Sequence, residues 1–260
     1  MIDTKATVDL LSDWIADRLH QSGRDGVVLG ASGGIDSALV AALSRRALAG
    51  AAIRLYALPN SDSDPLFLTR SQELADSLGL PLQTIAIGPF VAAGEQLLVG
   101  LAEDPIRRGN LAARARMSVL YDQAREHQSL VIGTGNRSEA LVGYTTLHGD
   151  AACDLAPIAG LYKDEIYALA RELSLPRSII EAAPSAGLWP GQSDEAELGL
   201  SYRELDPILR ALADRRLTAS ETSIELGVDL TIVHRVAQLM QESAFKRASV
   251  PTGPSAVARR

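Results

Sequence analysis

The chain has 260 residues, 47% of them apolar and only 4% aromatic, so aliphatic side chains must build a core sized for one α/β domain. Its formal charge of −7 suits an enzyme of small molecules and argues against broad gripping of a nucleic-acid backbone, while a local basic pocket remains compatible with it. With Cys153 as the sole cysteine, an internal disulfide and a four-thiolate metal site are excluded. No stretch approaches the roughly 20 apolar residues of a membrane helix. Residues 1–10 carry Asp3, Lys5 and Asp9 and no apolar segment of a signal peptide, so the cytoplasm is the expected location.

Val8, Leu11, Ile15 and Leu19 recur at helical spacing and predict an opening amphipathic helix that breaks over 22–26. Residues 27–29, an apolar run bounded by glycines, read as a buried parallel strand. A loop over 31–36 and a helix over 37–48 follow. Residues 53–58 read as a second strand. Thr69 with Gln72 resembles a capping box, opening a helix that stops at Gly79 and Pro81. A third strand is expected over 82–87, a long helix over 110–127, and a fourth strand over 130–132 that runs into Gly133, Thr134, Gly135 and Asn136. Strands alternating with helices imply a three-layer, Rossmann-like α/β/α domain with a parallel sheet covered on both faces. Ligands of such sheets bind beyond the carboxyl ends of the strands, where both glycine-containing loops lie.

The remainder reads as a helix over 163–173 stopped by Pro176, a breaker-rich segment over 184–193, and a helical, charged part from 201 onward. The segment 184–193 is expected to be mobile, with Leu188 and Trp189 available to close on a ligand. A Pro-containing tail covers 250–260, and the whole of 1–260 is expected to form a single domain.

The chemistry concentrates in Gly30, Ala31, Ser32, Gly33, Gly34, Ile35, Asp36 and Ser37. Glycines between a buried strand and a helix let backbone N–H groups curl around an anion, and the helix N-terminus adds partial positive charge. A carboxylate repels phosphate, so Asp36 makes sense there if it holds Mg²⁺ against the phosphate oxygens. The spacing is not that of a Walker A loop. The plain alternative is a strand-to-helix turn capped by Asp36 and Ser37.

This segment resembles the SGGxDS signature of the ATP pyrophosphatases. Within that superfamily, four further stretches are similar to NAD synthetases. They are Asn110 to Met117 (NxxARxRM), Gly133 to Glu139 (GTGNxSE), Gly149 to Lys163 (GDxxxDxxPIxxLYK), and Pro184 to Gly199 (PSAxLW…GQxDExELG). Lys246 and Arg247, with Pro251 one position further on, resemble a C-terminal KRxxP. The resemblance implies an adenine nucleotide alpha-hydrolase-like fold and amidation of deamido-NAD through an acyl-adenylate, with ammonia consumed and AMP and pyrophosphate released. It implies ATP contacts from Gly30 to Ser37, Thr134, Lys163 and Ser185, and Mg²⁺ on Asp36 and Glu139. Substrate contacts would come from Arg114, Asp154 and Lys246, with Asp36 and Lys163 as the catalytic pair. It also implies a homodimer, with free ammonia or a separate donor as nitrogen source, since no glutaminase domain fits ahead of the turn.

Each position also has a plainer reading. Arg114 and Arg116 read equally as the solvated face of a helix, Lys163 as a first-turn surface residue, and Asp150 and Asp154 as turn and cap residues. Trp189 reads as core packing and Cys153 as a small buried residue. The chain departs from the family at Leu147, where lysine is usual, at Ala151 and Ala152, usually glycines, and at Phe245, usually histidine. These departures favour, as a rival, an ATP pyrophosphatase acting on another carboxylate. Two further rivals are a DNA-binding regulator, from a helix–turn–helix pattern over 218–236, and a nucleotide sensor without turnover.

Overall fold

The computed structural model describes residues 2–48, 50, 52–61, 63–64, 66–185, 187–189 and 191–253. Ala186 and Pro190 of the breaker-rich segment, and 254–260 of the tail, lie outside the described residues. Four strands form one parallel sheet: β1 (Gly26–Gly30), β2 (Ala52–Ala57), β3 (Leu82–Thr84) and β4 (Ser129–Val131), in the order β3-β2-β1-β4. The chain therefore steps outward on one side of β1 and then crosses to the other. That reversal between β1 and β4 opens a crevice at their carboxyl ends.

β1 is central and buried on both faces, which is why its sequence is a continuous apolar run. Gly26 pairs with Ala52, and a Cβ at Gly26 would stand 2.0 Å from the Ala52 carbonyl oxygen, so only glycine allows that register. Val27 and Leu29 face one layer, packing with α1 (Thr4–Ser22) and α2 (Ile35–Ala47). Val28 faces the other, with Tyr56, Ile87, Ala112 and Ala115.

The remaining helices follow in chain order. α3 (Leu66–Leu78) lies between β2 and β3, and α4 (Gly88–Leu97) and α5 (Pro105–Glu126) lie between β3 and β4. After β4 come α6 (Arg137–Val142), α7 (Lys163–Glu172), α8 (Arg177–Ile180) and α9 (Asp194–Leu198). α10 (Tyr202–Leu209) runs into a π-turn at Arg210–Asp214, and α11 (Ala219–Leu226), α12 (Leu230–Glu242) and α13 (Ala244–Arg247) close the described chain. Ile166 and Leu169 of α7 join the first apolar layer. α10 and α12 build a separate apolar cluster with Tyr162 and Val142.

The expected strands and the three-layer order are all present, with local differences. α3 starts three residues before Thr69, because Asp64 accepts from the Leu66 N–H at 2.8 Å and caps the helix earlier. The third strand stops at Thr84, and Pro89 in the first turn of α4 starts a helix that periodicity did not reveal. α5 begins at Pro105, before the expected Asn110, with Asp104 accepting from the Arg107 N–H at 3.0 Å. The charged helical part is broken into short helices, one ended by Gly227 at φ 63°.

Candidate active site

β1 leaves the sheet at Gly30, and the Ala31 N–H still bonds to the Tyr56 carbonyl at 2.8 Å. The turn then doubles back at Gly33, whose φ of 68° lies in the left-handed region. A Cβ there would stand 3.0 Å from the Phe67 carbonyl oxygen. Ser37 is buried and holds the turn's shape: its hydroxyl donates to the Gly34 carbonyl at 3.0 Å and accepts from the Ser32 N–H at 3.2 Å. No side chain caps α2 at Gly34, so the helix offers its first N–H groups to the crevice.

That crevice is a cavity of about 500 Å³. Its walls include residues 30–36 of the turn, Thr134, Glu139, Lys163, Ser185 and Lys246. Three helix starts converge on it, and each carries a charge. Asp36 lies in the first turn of α2, Glu139 in the first turn of α6, and Lys163 opens α7. Lys163 is 2% exposed, so it is no surface residue. Its Nζ lies 2.6 Å from Asp36 Oδ2 and 3.3 Å from Glu139 Oε1, and 5.0 Å from the centre of the Tyr202 ring.

Asn136 joins the two acids. Its Nδ2 donates to Asp36 Oδ1 at 2.9 Å, and its Oδ1 accepts from the Glu139 N–H at 3.0 Å. Glu139 returns the bond to the Asn136 N–H, closing a capping box. Burial pulls the Lys163 ammonium down, but Asp36 and then Glu139 outweigh it and hold the lysine charged well above its usual range. Burial raises the Glu139 carboxyl, Lys163 draws it back, and Asp36 raises it again. Two carboxylates thus share one cation. Among the described residues no group of three or more His, Cys, Asp or Glu could hold a metal ion.

The other expected site residues divide. Thr134 and Ser185 reach the cavity, and the Ser185 hydroxyl accepts from the Gly187 N–H at 3.1 Å. Lys246 also reaches it, with Nζ donating to the Gly143 and Thr145 carbonyls, both at 2.7 Å. Arg114 and Asp154 are not on its described wall. Arg114 is exposed, and its Nε donates to the Leu147 carbonyl at 3.3 Å. Asp154 accepts from the Val131 N–H at 2.8 Å and from Tyr121 OH at 3.3 Å. The wall also carries cations that were given no role in the sequence: Arg70, paired with Asp64 at 3.2 Å, and Arg116, whose Nε donates to the Leu58 carbonyl at 3.1 Å. Arg116 lies within the Asn110–Met117 stretch, whereas nothing in the sequence marks Arg70.

The breaker-rich segment covers one side. Leu188 packs on Gly109, where a Cβ would meet it at 3.0 Å. The Leu188 N–H donates to Gln192 Oε1 at 2.8 Å, and Gln192 Nε2 donates to Tyr144 OH at 3.2 Å, which fastens the segment to the chain after α6. Cys153 is half-buried, with its thiol raised by burial, in keeping with packing and not nucleophilic attack. Its Sγ abuts Gly133, where a Cβ would come within 2.6 Å.

A parallel sheet with an amide-lined turn and a charge centre at its switch point defines a Rossmann-like α/β fold of the adenine nucleotide alpha-hydrolase type. Two solved structures share it over nearly the whole chain. The NH3-dependent NAD synthetase from Campylobacter jejuni is 34% identical with a TM-score of 0.83, covering 98% of this chain and 100% of that one. The NMN synthetase from Francisella tularensis is 31% identical with a TM-score of 0.82, covering 97% and 99%. The chain belongs to the NAD synthase family, whose model matches residues 7–250. Among its relatives, the NH(3)-dependent NAD(+) synthetase of Methanoregula boonei is 44% identical over 88% of this chain and 89% of its own length. That of Thermococcus kodakarensis is 38% identical over 97% and 98%.

Proposed function

We propose that this chain is a ligase that amidates deamido-NAD to NAD, using ATP and ammonia and releasing AMP and pyrophosphate. The observation that carries the reading is the placement of the Lys163–Asp36–Glu139 centre beside the uncapped start of α2. The turn from Ser32 to Ser37 receives the β- and γ-phosphates on its N–H groups, and Lys163 faces the α-phosphate. The nicotinate carboxylate attacks the α-phosphorus, the bond to the bridging oxygen breaks, and pyrophosphate stays in the turn. Ammonia then attacks the acyl carbon, a proton is lost, and AMP leaves as the amide forms. Lys163 stabilises charge that grows as the diphosphate departs. Leu188 and Trp189 keep water from the adenylate.

Two carboxylates that converge on one cation, with phosphate oxygens and water to complete the shell, form a donor set that suits Mg²⁺. Asp36 and Glu139 would hold it there, and when bound it supplies charge neutralisation for the departing pyrophosphate. We take the chain as one catalytic unit that works as a homodimer in the cytoplasm. The off-cavity positions of Arg114 and Asp154 support pairing, since a dinucleotide reaching them would pass beyond one chain's pocket.

A second reading is favoured by the departures at Leu147, Ala151, Ala152 and Phe245 and by the likeness to an NMN synthetase: amidation of the mononucleotide acid instead of the dinucleotide. Leu147 is half-buried and exposed Phe245 carries no charge, so neither offers a cation to a second phosphate. One assay separates the readings. The protein is given ATP, Mg²⁺ and ammonium with each acid in turn, and products are identified by mass. NAD from the dinucleotide acid is expected. NMN formation at a higher kcat/KM would replace the first reading with the second, and pyrophosphate release with neither acid would defeat both.

A further inference from the structure

Asp206 is a fully buried carboxylate that does not line the cavity. It sits on α10, in the apolar cluster with Leu205, Ile208 and Leu209. Burying a carboxylate is costly unless strong donors meet it. Here Oδ1 accepts from the Ser138 hydroxyl at 2.5 Å and Oδ2 accepts from the Asp164 N–H at 2.9 Å. Ser138 Oγ in turn accepts from the Lys163 N–H at 3.0 Å.

These bonds end on the first two N–H groups of α7, which have no partner within the helix itself. Tyr162, the residue before the helix, makes no side-chain cap bond to them. The cap is supplied instead from α6 and α10. A negative charge at that end also faces the positive pole of α7. The same Ser138 stands next to Glu139 in α6. One buried carboxylate therefore ties the start of the helix that bears Lys163 to the start of the helix that bears Glu139. The charge on Asp206 also sets the direction of the relay. A carboxylate requires Ser138 to donate, which leaves the serine oxygen free to accept from Lys163.

We propose that Asp206, acting through Ser138, is the positioning residue that holds Lys163 against Asp36 and Glu139 for adenylate formation. This rests on the ligase reading above.

The test is Asp206→Asn in the full chain. The amide can accept at only one of the two positions and removes the charge, while its size is unchanged. The ATP–pyrophosphate exchange rate supported by deamido-NAD should fall at least tenfold, with the KM for ATP within threefold of wild type and the melt still cooperative. The Lys163 ammonium signal in a ¹⁵N-labelled sample should shift or vanish in the variant, and this readout does not need turnover. In a cycle with Lys163→Arg, the second substitution should cost far less than the first, because both act at one point. A variant with the wild-type exchange rate and an unmoved Lys163 signal overturns the proposal, as does a loss of rate fully additive with Lys163→Arg. If Asp206→Asn does not fold, Ser138→Ala, which cuts the Asp206–Ser138–Lys163 link and leaves the Asp164 N–H bond to Asp206 in place, must show the same loss of rate and the same change in signal, and otherwise the proposal fails. Failure of wild type itself to support exchange would count against the ligase reading, and the ammonium signal would still decide the role of Asp206.

Discussion

Replacing Lys163 by methionine keeps most of the side chain's length and apolar stem and removes only its charge. Nζ is the cation that lies between Asp36 at 2.6 Å and Glu139 at 3.3 Å, in a side chain 3% exposed. Removing one member of a buried ion pair costs about 3–5 kcal/mol, because the partner is left charged and unpaired. Glu139 is already raised by burial and by Asp36, and without Lys163 to draw it back it holds its proton to still higher pH, which relieves the repulsion between the two acids. The lower end of that range, about 3 kcal/mol, is therefore expected. For a chain of this size each kcal/mol moves the melting temperature by about 2–4 °C. A scan of the nucleotide-free protein should show Lys163→Met melting roughly 6–12 °C below wild type. Adding Glu139→Gln should recover part of the loss, since a neutral amide needs no counter-charge. Adenylate formation should drop by about two to three orders of magnitude in the single variant, the usual loss when a transition-state donor goes. A single variant that melts within about 1 °C of wild type would refute the buried triad as the organising charge of the site.

Two further outcomes follow from the same geometry. The Glu139 carboxyl is pushed up to about 8, by burial first, against an ordinary value of 4.5. A raised folded value means that the folded state holds the proton more tightly. That contribution is complete below pH 4.5 and is lost as pH rises through about 8, so the metal-free protein should melt lower at pH 8 than at pH 5, with the slope flattened by Glu139→Gln. A slope unchanged in that variant would assign it elsewhere. Gly33→Ala puts a Cβ on a residue at φ 68°, 3.0 Å from the Phe67 carbonyl. The strain of about 1–2 kcal/mol should flatten the turn and raise the KM for ATP severalfold with little loss of fold. An unchanged KM would mean that the left-handed bend plays no part in holding phosphate.

The parts of the site readable in the sequence are the local ones. β1, the turn and the start of α2 are contiguous, and glycine, burial and helix pattern all point to one conformation there. The starts of α3 and α5 are not fixed by local pattern, because each depends on which of two nearby polar side chains acts as cap. Asp64 and Asp104 won because each lies where its side chain meets the first free N–H groups. α4 went unseen because Phe90 and Leu97 are exposed in it, so its apolar pattern does not mark one buried face.

Lys163 shows where local reading ends. Its sequence context describes only a helix start, and resemblance alone singled it out. Its burial comes from three elements meeting at the sheet edge, with Asp36 lying 127 residues away in the chain and Glu139 24. Asn136 bridges another 100 residues to Asp36. No helical or strand period carries such pairings, because each helix start is placed by the sheet crossover and not by its own side chains. The same crossover explains why a single lysine can serve both stability and chemistry. Parallel strands put the starts of α2 and α6 at one edge, α7 is tied to that edge through Ser138 and Asp206, and three helix poles of one sign need acids to neutralise them. Two acids that close need a cation between them. In the proposed reaction, a phosphate entering the turn would meet a cation already held in place, so the charge balance that stabilises the fold would also serve a triphosphate.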